Sequence, residues 1–96
     1  MPNRITEKDL QYLVSRMNEI TGQPAEQYTQ DEAGKFRSNI GNYHLSFAYG
    51  GVTLHQMVND GGGVTTPLGG GYFTKRELAV KLGAFIAGIV LCKSAN

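Results

Sequence analysis

Two groups of residues in this chain have types and spacing that could do chemistry. The first is the glycine-rich stretch leading into the last helix: Gly61-Gly62-Gly63, then Gly69-Gly70-Gly71, then Thr74-Lys75-Arg76. Backbone N–H groups at a helix start, the positive end of the helix dipole and two cationic side chains suit a phosphate or carboxylate. The spacing is not that of a Walker A loop, and no G-x-G-x-x-G follows a parallel strand. An anion site on Gly69, Gly70, Gly71, Thr74, Lys75 and Arg76 therefore competes with a plain flexible connector, in which glycines only allow tight turns.

The second group is His44 and His55 with Lys35, Arg37 and Met57. In the strand register argued below the histidines share one open sheet face as diagonal neighbours. Diagonal separations of about 7–8 Å are too wide for two imidazoles to hold one metal without rotamer help. No cysteine or acidic residue on that face completes a ligand set, so no metal site is expected. Lys35 and Arg37 beside the histidines give a mildly basic strip, and Met57 adds an apolar element. The face is either ordinary solvated sheet or a docking surface for an acidic partner or a phosphate backbone. Ser46 lies across the hairpin from His55, but with no third residue and no oxyanion hole. Glu7, Asp9 and Glu77 are accounted for by helix caps. The residues imply no enzyme and no cofactor.

The elements that must position these groups are legible in turn. Thr6 with Asp9 starts a first helix, Ile5 and Leu10 staple it, and Leu10, Leu13, Val14, Met17 and Ile20 make its apolar stripe. Gly22 and Pro24 end it. Residues Gln23 to Gly34 are polar, with a short strand at Gln27 to Gln30 and a turn at Asp31-Glu32-Ala33-Gly34.

Lys35 to Val58 reads as a three-stranded antiparallel meander with turns at Gly41-Asn42 and Gly50-Gly51. That register pairs Phe36 with Phe47, Phe47 with Leu54, Leu45 with Gln56 and Tyr43 with Val58. Nearly every apolar side chain then falls on one face. Thr74-Lys75-Arg76-Glu77 is a capping box for a last helix, buried along Leu78, Leu82, Phe85, Ile86 and Ile89. Gly83 and Gly88 weaken that helix, and close packing is expected to compensate. The order α-β-β-β-α predicts a two-layer α+β domain with both helices on one sheet face.

Ninety-six residues suit one domain, with 41% hydrophobic and 18% charged residues and a formal charge of +1. That balance excludes a strongly basic nucleic-acid arm and an acidic DNA mimic. Cys92, the single cysteine, is expected to be a buried or inert thiol near a helix end. Met1-Pro2-Asn3-Arg4 has no leader character, and the longest apolar run, Leu82 to Cys92, is far short of the roughly 20 residues of a membrane span. A cytosolic chain is expected.

The set Thr6-Glu7-Lys8-Asp9-Leu10, Asn18, Thr21-Gly22, Gly41-Asn42-Tyr43-His44-Leu45, Ala48-Tyr49-Gly50-Gly51, Leu54, Asn59, Gly61-Gly62-Gly63 and Lys75-Arg76-Glu77-Leu78 resembles a family of small uncharacterised proteins of tailed bacteriophages and prophages. The resemblance covers nearly the whole chain and is most specific at Gly-Asn-Tyr-His-Leu. It implies a host bacterial cytoplasm and an accessory role, such as host takeover or counter-defence, in which the protein binds a host or phage protein. It transfers no functional residues. The topology is also similar to double-stranded-RNA-binding domains, with only Lys75 and Arg76 standing where that family is basic. Nucleic acid is thus the alternative partner, and a sequestered phosphate or nucleotide ligand the third. A homo-oligomer is compatible with the sequence, and a membrane partner is not expected.

Overall fold

The computed structural model describes residues 4–94; Met1, Pro2 and Asn3, part of the start read above as leaderless, lie outside them. Helix α1 spans Glu7–Thr21. Thr6 and Asp9 exchange side-chain and backbone hydrogen bonds as a capping box. Gly22, at φ +71, closes the helix with a Schellman motif: its N–H donates to Glu19 and that of Gln23 to Asn18. Helix α2 spans Lys75–Ser94, and Thr74 and Glu77 cap it reciprocally.

Between the helices lie β1 (Tyr28–Gln30), β2 (Phe36–Ser38), β3 (Tyr43–Ala48), β4 (Gly51–Met57) and β5 (Val64–Thr65). They form two antiparallel sheets, β1–β2 and β3–β4–β5. The chain is α+β, and both helices pack on one face of the larger sheet. Leu10, Val14 and Met17 of α1 meet Leu78, Leu82 and Ile86 of α2 over Tyr43, Val52 and Leu54. Burying such aliphatic side chains contributes about 1.5–3 kcal/mol each.

The first half of the expected meander is replaced by a different pairing. β2 pairs with β1, Gln30 opposite Phe36, and not with β3. Asp31 closes that hairpin: its carboxylate accepts the N–H groups of Ala33 and Lys35, each at 2.9 Å. Gly41-Asn42 turns no hairpin. Asn42 N–H donates to Asn39, Gly41 (φ +97) donates to Met57, and Met57 donates back to Asn42. Two residues face one there, the pattern of a G1 bulge. Phe36, expected opposite Phe47 on the core face, is consequently exposed, as is Ile40.

The second half keeps its faces but shifts its register. The turn is Tyr49-Gly50, at φ +53 and +73, a type I′ geometry, and not Gly50-Gly51. Leu45 therefore opposes Leu54 and Phe47 opposes Val52. Because the slip is two residues, each side chain stays on its own face. Gly51 is needed elsewhere. A Cβ there would lie 3.0 Å from both the Phe73 carbonyl and Tyr72 Cβ, where the chain returns and Val52 and Phe73 exchange backbone hydrogen bonds. The shift moves Phe47 from the centre of the sheet towards its turn end, where it is half-exposed, and Leu54 takes the centre with no exposure.

Two further expectations are overturned on α2. No atom lies within 4 Å of a Cβ built on Gly83 or Gly88, so no close packing compensates them. Cys92 is exposed, on a stretch of α2 where Leu91 is 72% exposed as well.

Candidate functional site

At one end of the larger sheet an aromatic group surrounds the β3–β4 turn. Tyr49 stands at the tip of the β3–β4 turn with 94% of its surface exposed. Its ring meets that of Tyr72 edge-on, with centroids 5.5 Å apart. Val52 pairs with Phe73, so Tyr72 runs alongside Thr53, and its hydroxyl comes within 3.4 Å of Ser46 Oγ beyond. Two grooves flank the Gly51–Phe73 junction. One, of about 640 Å³, is floored by Phe47, Val52 and Phe73, with Arg4, Glu7 and Lys75 on its rim. The other, of about 590 Å³, runs between Tyr49, Tyr72 and the start of α2. The Lys81 ammonium lies 5.0 Å from the Phe73 ring centre, a cation–π contact that fixes that ring.

The backbone of Tyr49 is the informative feature. A type I′ turn favours Asn, Asp or Gly at this position, since the left-handed region crowds a larger Cβ and costs roughly 1–2 kcal/mol. A tyrosine here gains no core burial in return. Apart from its edge-on contact with Tyr72, the ring is displayed to solvent.

The residues assigned to the glycine loop and helix start are only partly brought together. Gly71 and Thr74 line the second groove and Lys75 the first, Arg76 lies with Val80 and Lys81 on α2, and Gly69 and Gly70 line neither groove. The N–H of Thr74 already donates to the Glu77 carboxylate at 2.8 Å. That bond first, and a hydrogen bond from the Thr74 side chain second, lower the Glu77 carboxyl pKa. A negative side chain of the protein itself thus occupies the helix start. The other glycine triplet is a tight turn in which Asn59 Oδ1 accepts the N–H groups of Gly61 and Gly63.

The open-face set is dispersed. Lys35 lies beside β2 and Arg37 within it, on the small hairpin and off the sheet that carries the histidines; Arg37 pairs with Asp31 at 3.3 Å on the surface. Met57 is 1% exposed at the G1 bulge, a packed residue and not a docking one. Thr53, on the same face, is buried, and its hydroxyl finds no hydrogen-bond partner among the described residues. His44 and His55 do come together, directly opposite and not diagonal. Burial, and secondarily the charge of His55, lowers the His44 pKa below that of an ordinary histidine. The described residues contain no group of three or more His, Cys, Asp or Glu placed to hold a metal.

No protein-family model matches the chain, and no curated protein or solved structure matches it. A turn at Gly50-Gly51 does not single out Tyr49, whose signal in the sequence is a tyrosine immediately before Gly50; Tyr72 and Phe73 join it only through the Val52–Phe73 pairing.

Proposed function

We propose that this chain is a small non-enzymatic binding protein that docks on a partner protein through the Tyr49 end. The observation that carries the reading is the display of Tyr49 in a left-handed turn position with almost its entire ring in solvent. Backbone strain that no core burial repays clusters at ligand clamps and other functional sites. Tyrosine supplies large, rigid contact area and is enriched at interface hot spots, and the adjoining apolar grooves with a charged rim have the anatomy of a protein interface. Among the described residues no helix is long and apolar enough to cross a membrane. The resemblance to phage and prophage proteins supplies the setting, a bacterial cytoplasm during infection or lysogeny, with a host or phage protein as partner.

Tyr49→Asn tests this directly, because it introduces the Asn-Gly dipeptide that type I′ turns prefer. Relief of strain offsets the lost Tyr72 contact, leaving stability within about 1 kcal/mol. Capture of a partner from infected cells by the tagged protein should nevertheless be lost. Equal capture by wild type and variant defeats the proposal. If the captured material is nucleic acid, released steeply as salt rises, the double-stranded-RNA-binding alternative takes its place.

A further inference from the structure

The His44–His55 pair has a geometry that the docking surface does not use. The two residues oppose each other across β3 and β4, with ring centroids 5.5 Å apart and planes at 89°. Two imidazoles bound to one metal at the tetrahedral angle, with metal–nitrogen bonds of roughly 2.0–2.1 Å, hold their centroids about 5.2 Å apart. The observed ring spacing lies within a few tenths of an ångström of that value.

A chain of hydrogen bonds sets the tautomer. The Pro24 carbonyl can only accept, so the group of Asn42 that meets it at 2.8 Å is the Nδ2 amide. Asn42 Oδ1 is thereby turned to His44 Nδ1 at 3.2 Å. That oxygen also only accepts, so Nδ1 of His44 carries the proton and Nε2 of the neutral ring keeps its lone pair. Asn42 is 1% exposed, so this arrangement is built into the fold. Ligating histidines characteristically donate their second ring nitrogen in this way, which orients the ring and fixes the tautomer.

We propose that His44 and His55 form a two-imidazole site for a divalent transition metal of the zinc type, with solvent completing the coordination. Imidazole nitrogen suits zinc, copper and nickel and not magnesium or calcium. Both rings are only partly buried, which leaves the metal open to solvent.

Zinc alone is the probe, titrated calorimetrically into the full chain in a buffer that does not chelate it. One equivalent should bind and raise the melting temperature; His44→Gln and His55→Gln should each abolish both effects, and Cys92→Ser should retain them. In wild-type protein labelled with ¹⁵N in its imidazoles, Nε2 of His44 should shift on binding while Nδ1 stays protonated. The labelled spectrum decides the matter if a variant fails to fold. Absence of saturable binding, binding that survives both glutamine substitutions, or zinc-dependent shifts confined to residues other than these two histidines overturns the proposal.

Discussion

The side-chain amide of Asn18 binds both backbone groups of Tyr43, donating to its carbonyl at 3.0 Å and accepting its N–H at 2.8 Å. β3 is an edge strand, and Tyr43 directs these groups away from β4. Asn18 therefore supplies one rung of a neighbouring strand and pins α1 to the sheet edge. Asn18→Ala leaves two backbone groups of a buried residue without partners, a loss of about 2–4 kcal/mol. Urea unfolding measures it, and a change of a few tenths would show that water replaces the amide.

Thr53 should behave in the opposite sense. Among the described residues its buried hydroxyl finds no partner, beneath the segment that carries Tyr72. Thr53→Val keeps the shape and removes the orphan polar atom, so the protein should gain about 1 kcal/mol. A loss on the same denaturant curve would mean that a buried water satisfies the hydroxyl.

Gly83→Ala and Gly88→Ala should each stabilise α2 by about 0.5–1 kcal/mol, because helix glycines carry an entropic cost and open space surrounds both. Thermal unfolding of the single and double variants checks this. A lowered melting temperature would indicate that this face of α2 is covered in solution.

Stability should fall in two stages on acidification. Acceptance of the Thr6 and Thr74 backbone N–H groups lowers the Asp9 and Glu77 carboxyl pKa values beneath 3.8 and 4.5, and burial lowers that of His44 beneath 6.5. In each case the unfolded chain takes up the proton first, so the stabilisation is present above the unfolded pKa and is lost as pH falls through the folded one. The first decline should begin near pH 6.5 and disappear in His44→Gln. The second should begin near pH 4.5 and shrink in Glu77→Gln. Melting temperatures across that range report both; a flat profile above pH 5 would exclude the His44 contribution.

What the sequence determined by itself is what acts within a few residues. Thr6 with Asp9, Thr74 with Glu77 and Gly22 locate the ends of both helices, because a cap is a contact over three or four positions. The alternation in Tyr43–Ala48 and Gly51–Met57 assigns the faces of β3 and β4, since a strand turns its side chains over with a period of two. Which strand β2 joins, which residue turns the second hairpin and where Tyr49 stands were decided by tertiary structure. The local pattern of Phe36–Ile40 suits either neighbour, and the Asp31 turn and the G1 bulge settle the choice. Register depends on clearance between Gly51 and the backbone at Tyr72 and Phe73, more than twenty positions away. The Asn18–Tyr43 clamp, the His44–His55 pair and the aromatic end all join residues through space, and a one-dimensional pattern carries no term for such contacts.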